Sequence, residues 1–404
     1  MTINEFYKKA MAHALKNALA HNGKAQAGAV ISAMFSEGLK PNEVKKNIKK
    51  LNEIVSDVNK LSSGEQSSEF EKIKDIISER EVREGLEELP DVKKTGVVMR
   101  FAPSPSGPFH IGHAAIACIS FLYVRKYGGK FYVRIEDTNP ENIYPKAYKM
   151  IEDESRWLFD GIAKIQIQSE HIKKYYKYAE KLIRKKDAYV CTCSAENFKK
   201  FADSKKPCPC RKLNVEENLE RWKKMLDKKG YNEGEAVLRF KSGMLHSNPA
   251  MRDFPLARIN LAPHARQGTK YRVWPLMNFA VSVDDIEDKM THIIRGKDHR
   301  DNAERQRMIF TALGKENQFP WTAFLGRYKF KDMELSTTQM REDIEKGKYS
   351  GWDDGRLPTI ASLKKQGYKP QAFWRFAERV GLSETDKVMD REEYFKLLNA
   401  FNRE

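Results

Sequence analysis

The stretch from Gly96 to Thr138 leaves little choice of fold. "GVVMRFA" is rich in β-branched and aromatic residues, "APSPSGPFHIGHA" continues it as a loop, a helical run spans about Ile111 to Tyr127 and stops at Gly128–Gly129, and "KFYVRIEDT" is a second strand. Strand, loop, helix and strand make a βαβ unit, which predicts a parallel nucleotide-binding sheet. Ligands of such sheets lie beyond the carboxyl ends of the strands. The loop leaves one of those ends: Pro103, Pro105 and Pro108 restrict its backbone, and Gly107 lets main chain approach a ligand closely. The helix that follows is expected to offer free N–H groups and a positive dipole end to phosphate. His110 and His113 stand three apart, share a helical face, and can donate hydrogen bonds to charge developing on phosphate.

The flanks have a different texture. Before about residue 90, "EFYKKAMAHALKNALAHNGKA", "NEVKKNIKKLNEIVSDVNKLS" and "SSEFEKIKDIISEREVREGLEE" carry apolar residues at helical spacing with lysines between, broken at Pro41 and at Ser62–Ser63–Gly64. A small all-α domain and a linker at "LPDVKKTG" are predicted. The formal net charge of +17 points to a polyanionic partner, with nucleic acid the leading candidate. No run approaches the roughly 20 apolar residues that span a bilayer, and no secretory signal pattern is present, so a cytoplasmic location is expected.

Four of the five cysteines, Cys191, Cys193, Cys208 and Cys210, fall within "CTCSAENFKKFADSKKPCPC". Two Cys-x-Cys pairs around a lysine-rich loop are read as a thiolate site for Zn²⁺. Lys199, Lys200, Lys205, Lys206 and Arg211 are expected to lower the thiol pKa values. Cys118 lies on an apolar helix face and belongs to a core.

"RFAPSPSGPFHIGHA" followed by "VRIEDTNPEN" resembles the class I aminoacyl-tRNA synthetases, specifically the glutamyl/glutaminyl subgroup, and "HIGH" is complete as His110 to His113. The N-terminal helices resemble the extension of archaeal-type glutamyl-tRNA synthetases. The resemblance implies a Rossmann-type catalytic domain with an α/β acceptor-binding insertion, preceded by the all-α domain and followed by a helical stem-contact region. The expected division is 1–94, 95–190, 191–270, 271–330 and 331–404. It implies ATP with Mg²⁺, tRNA and L-glutamate as substrates and partners, a zinc knuckle in the insertion, and a monomer. Archaeal-type relatives continue into a β-rich anticodon-binding region, and nothing up to Glu404 resembles one.

The resemblance also assigns residues. Pro103, Gly107, His110, Gly112, His113 and Leu335 fall at ATP-binding positions, with His110, His113 and Ser336 as the catalytic set. Arg100, Ala102, Ser104 and Glu136 fall where the amino acid is held, Arg100 for a carboxylate and Glu136 for the ammonium. Arg295 of "THIIRGKDH" stands where glutamyl enzymes carry arginine. A buried guanidinium prefers a side-chain carboxylate over a neutral amide. Met277 replaces the tyrosine of many relatives. The loop "MELSTTQMRE" keeps Ser336 but lacks the family lysine, leaving Lys329, Lys331 or Arg341 to supply charge. Two alternatives stay open at this point: a glutaminyl ligase, and a non-catalytic tRNA-binding paralogue.

Overall fold

The computed structural model describes residues 3–77 and 85–403. The chain divides into two compact units, residues 1–83 and 84–404.

The first unit is helical, with Ile3–Ala20, Ala27–Ser36, Val44–Val58 and Ser63–Ile73 packed around Ala10, Leu15, Val30, Met34, Leu51, Ile54 and Val58. Both expected breaks hold: Pro41 opens a 3₁₀ turn, and Ser62 caps the fourth helix with Glu65 completing a capping box. The third predicted helix runs through residues 78–84, which lie outside the described residues; residues 85–89 are not helical. Residues 85–94, expected in this domain, pack with the second unit. Leu89 and Val92 join its core, and Pro90 O accepts from His292 Nε2 at 2.8 Å.

In the second unit β1 (Val97–Phe101), β2 (Gly129–Ile135) and β3 (Lys164–Ile167) form a parallel sheet. The crossover from β1 to β2 is the helix Ile111–Tyr127, with the limits the sequence implies. It is apolar almost all round because it lies between the sheet and the helix Pro370–Val380. Cys118 is buried in that core. An antiparallel sheet follows: β4 (Ala188–Cys191), β5 (Val237–Phe240), β6 (Pro255–Ile259) and β7 (Val273–Pro275). It shares a core with the helices Ile172–Arg184, Met277–Glu287 and Arg300–Ala312. This sheet extends past residues 191 and 270, since β4 and β7 are its outer strands.

β8 (His292–Gly296) and β9 (Trp321–Leu325) form a second parallel pair. Thr291 stitches it to β1: Val98 N donates to Thr291 Oγ1 at 2.8 Å, and Thr291 N donates to Val98 O at 3.0 Å. A side chain thus replaces a ladder carbonyl and brings the strand of Arg295 beside the strand of Arg100. The C-terminal region, expected to be helical, also contains β10 (Tyr328–Phe330) paired in parallel with β11 (Lys387–Met389). Three-residue strands leave no periodic signal to find.

Candidate active site

The loop after β1 is fixed by bonds to four other segments. Pro103 O accepts from Glu136 N at 2.9 Å and Pro105 O from Tyr144 N at 2.8 Å, which ties it to the chain leaving β2. Phe109 N donates to the buried Glu154 Oε2 at 2.6 Å, and Ser106 Oγ meets Thr337 Oγ1 at 2.8 Å. Two glycines let segments distant in sequence close on this loop. A Cβ on Gly107 would stand 3.0 Å from the Trp352 ring, and one on Gly112 would stand 3.0 Å from Leu335. The "HIGH" and "LSTTQ" segments are therefore in contact.

His110 and His113 do share a face, their rings stacked 3.7 Å apart at 20°. The expectation of free N–H groups at this helix end is corrected. Gly112 N and His113 N donate to His110 Nδ1 at 3.1 and 3.3 Å, and Ile111 N donates to Pro358 O at 3.0 Å. His110 is the N-cap, and a cap satisfies the groups a phosphate would otherwise meet. The helix dipole and the imidazoles remain. Because Nδ1 accepts, the neutral His110 ring carries its proton on Nε2. Burial, and then the neighbouring His113, hold His110 well below the ordinary imidazole range, and burial lowers His113 to about 4. Both rings are neutral at pH 7.

Ser336, expected to be catalytic, caps the helix Thr337–Glu345: its Oγ accepts from Gln339 N at 3.2 Å. Of the cations expected to replace the missing lysine, Lys329 pairs with Asp386 at 3.4 Å. Arg341 pairs with Glu345 and lies over the Tyr144 ring. Lys331 is exposed and makes no ion pair among the described residues. Asp354 closes a turn by accepting from Ser350 N, Arg356 N and the Arg356 guanidinium.

Behind the loop lies a buried charge network. Arg100 does make a bidentate pair, but with Asp285: Nε to Oδ1 is 2.8 Å and Nη2 to Oδ2 is 3.0 Å. Its side-on fork is thus already engaged inside the protein. Arg134 donates to Asp285 at 2.5 Å and to Asp288 at 2.7 Å. Arg100 and Arg134 outweigh burial and hold Asp285 below the usual carboxylate range.

Arg295 is compensated differently. It is 9% exposed, and its Nη1 donates at 2.9 Å to Gln306, a neutral acceptor. Its Nε is buried without a partner among the described residues. Burial, then Arg100, pushes the guanidinium down to about 10. The side chain of Glu136, just after β2, has no hydrogen bond or ion pair among the described residues. Burial raises its carboxyl to about 7, against the opposing pull of Arg100, Arg134 and Arg295. Ala102 is partly buried, and Ser104 is exposed at the mouth of the loop.

The four cysteine sulfurs lie within 4.8 Å of one another, with Cys191 to Cys208 at 3.8 Å and Cys193 to Cys210 at 3.9 Å. Three of the expected cations are paired elsewhere. Lys199 pairs with Asp203, Lys200 with Glu196, and Arg211 with Asp253. The nearby guanidinium is Arg221, whose Nη1 is 3.4 Å from Cys210 Sγ. It comes from the helix Val215–Leu226, beyond the reach of a local motif.

Sequence reasoning passed over Glu154, Arg134, Asp285 and Gln306. For Asp285 a signal was present: two adjacent acids interrupt the otherwise apolar "NFAVSVDDI". Burying acids on such a face demands buried cations.

Comparison with known proteins adds independent findings. A family model described as the catalytic domain of class I tRNA synthetases (E and Q) matches residues 96–404. The glutamate–tRNA ligase of Methanocaldococcus jannaschii is 42% identical over 398 residues, covering 98% of this chain and 70% of that protein. The glutamate–tRNA ligase of Pyrococcus horikoshii is 44% identical over 408 residues, with 98% and 70% covered. The crystal structure of a glutamate–tRNA synthetase from Elizabethkingia anophelis matches with a TM-score of 0.53 at 20% identity, over 75% of this chain and 70% of that one, a likeness of fold. No helix among the described residues is long and apolar enough to cross a membrane.

Proposed function

Because the chain belongs to the class I tRNA synthetases of the glutamyl and glutaminyl type, we propose that it attaches L-glutamate to tRNA through a glutamyl-adenylate. The observation that carries the choice of glutamate is a pair of side chains, the buried Arg295 and the partly buried Glu136, neither of which makes a salt bridge among the described residues. Arg295 has no carboxylate partner and Glu136 has no cation partner among the described residues. An acidic amino acid supplies both, its ammonium to Glu136 and its side-chain carboxylate to Arg295. A glutamine amide would leave the guanidinium charge unmatched.

In the first step a carboxylate oxygen of glutamate attacks the α-phosphate of ATP, which enters as its Mg²⁺ complex, and pyrophosphate leaves. In the second, a hydroxyl of the terminal adenosine of tRNA attacks the adenylate carbonyl, and AMP leaves. Neither step needs a protein nucleophile; orientation and charge stabilisation suffice. The Nε2–H of His110, the stacked His113 and the helix dipole face the phosphates. Pro103, Gly107, Gly112 and Leu335 shape that face. Ser336 orders the second loop by capping its helix, and of Lys329, Lys331 and Arg341 it is Lys331 that makes no ion pair among the described residues. Ala102 and Ser104 border the amino acid. The insertion takes the acceptor end of tRNA, which the net charge of +17 favours.

Charging of tRNA with glutamate and glutamine in parallel tests this reading. Glutamate is expected to be attached and glutamine rejected; no glutamate-dependent charging would overturn it. The same assay carries a pH signature. Glu136 must be ionised to hold the ammonium, so the KM for glutamate is expected to rise as pH falls through about 7, and Glu136→Gln is expected to flatten that rise. Stability has the opposite sense. A carboxyl raised in the folded state contributes stability below the unfolded carboxylate range, and that contribution is lost as pH rises through about 7.

The cysteine cluster fits Zn²⁺. With Zn–S bonds of about 2.3 Å, a tetrahedron has sulfur–sulfur edges of about 3.8 Å, against the 3.8 and 3.9 Å found. The ion would cross-link the end of β4 to the turn Pro209–Lys212, with Thr192 and Arg221 contacting Cys210 from outside. Metal analysis is expected to find about one zinc per chain, and strong chelation is expected to lower the melting temperature. Protein purified without chelators and free of zinc would refute the site.

A further inference from the structure

The neutral partner of Arg295 is itself held by neutral partners. Gln306, 2% exposed, accepts from Arg295 Nη1 at 2.9 Å and donates through Nε2 to Asn278 Oδ1 at 3.1 Å. Asn278 Nδ2 donates to Asn302 Oδ1 at 3.1 Å, and the same oxygen accepts from Arg305 Nη1 at 3.0 Å. Asn302 turns its Nδ2 toward His299 Nδ1 at 3.0 Å.

Arg305 fixes the direction of this relay. A guanidinium can only donate, so Asn302 must present its oxygen to it. Asn278 then presents its nitrogen to Asn302 and its oxygen to Gln306, and Gln306 presents its oxygen to Arg295. A carboxylate at 306 breaks the order, because its second oxygen would face Asn278 Oδ1. It would also pair with Arg295 inside the protein. The other guanidinium beside the pocket, Arg100, is already paired with Asp285. The unmatched positive charge of the pocket is therefore concentrated on Arg295.

We propose that Gln306 is a specificity-determining positioning residue: through the relay Gln306–Asn278–Asn302 it aims Arg295 at the substrate side chain without neutralising it. Selection of glutamate over glutamine then depends on residue 306 being an uncharged acceptor. The inference rests on Arg295 as the group that receives the side-chain carboxylate. Met277, whose sulfur lies 3.7 Å from Gln306 Nε2, adds no charge to the relay.

The test is kcat/KM for glutamate and for glutamine in tRNA charging by the full chain, for the wild type, Gln306→Glu, Gln306→Met and Arg295→Ala. The ratio of the two substrates within one preparation cancels any difference in folded fraction. Gln306→Glu is expected to lower the glutamate-to-glutamine ratio by roughly 100-fold, since the incoming carboxylate meets a like charge. Gln306→Met removes the acceptor but leaves Arg295 charged. It is expected to raise the KM for glutamate while keeping the ratio within about tenfold of wild type. A ratio unmoved by Gln306→Glu, or one that collapses equally in both variants, overturns the relay. Should Arg295→Ala leave the ratio at its wild-type value, the assignment of Arg295 falls and the relay falls with it.

Discussion

Replacing Arg295 with alanine is expected to cut kcat/KM for glutamate by about two to three orders of magnitude. The estimate starts from the roughly 3–5 kcal/mol lost when one partner of a buried ion pair is removed. In the complex that pair is Arg295 with the substrate carboxylate, and each 1.4 kcal/mol is about tenfold. Glutamine should suffer far less, because its amide gains only a hydrogen bond from the guanidinium. Discrimination between the two substrates collapses as a result. The protein itself should tolerate the change. Among the described residues Arg295 is a buried charge without a carboxylate partner, so its removal also removes a desolvation cost. Paired charging assays and a thermal melt check both halves. Undiminished glutamate charging by the variant would show that another residue receives the carboxylate.

Asp285→Ala is expected to act on stability first. Asp285 is the shared acceptor of Arg100 and Arg134, and all three are almost fully buried. Without it, two guanidinium groups face each other in a low dielectric, and Asp284 and Asp288 are the remaining ion-pair partners of Arg134 among the described residues. The cost should be about 3–5 kcal/mol, a large share of the 5–15 kcal/mol typical of folded proteins. A fall in melting temperature of roughly 10 °C follows for a unit of this size. Asp285→Asn keeps the shape and one acceptor and should lie between the two. The acid limb should change as well. A carboxyl held below its ordinary range stabilises the fold above its unfolded pKa, and that contribution is lost as pH falls through the folded value. A variant that melts like the wild type would mean that the network is compensated elsewhere. The contrast with Arg295 is the informative part. One buried arginine is part of an ion-pair network, and the other has no carboxylate partner among the described residues.

Much of the scaffold was legible in the chain. The strand, loop and helix around His110 announced themselves through local rules. β-branched runs, a Pro- and Gly-rich loop and a helical period act within a few residues, and the helix Ile111–Tyr127 came out with the expected limits. The four cysteines were equally plain, because their spacing is short. The state of the helix end was not. Whether its N–H groups are free depends on the rotamer of His110 and on Pro358, brought in from far along the chain. The same holds for Ser336, whose hydroxyl has an alternative use as a cap that a motif cannot display.

By itself the sequence determined the parallel type of the first sheet, the Pro- and Gly-rich loop after β1, the thiol cluster and the presence of an arginine at 295, because each is written in contiguous residues. Only the tertiary structure decided which charges are spent and which remain available. Arg100 finds Asp285 across 185 residues, and Arg295 finds Gln306 instead of an acid. Pairing over such separations is set by how strands and helices pack, and in a desolvated interior the partner a charge meets fixes whether it stabilises the fold or waits for a ligand.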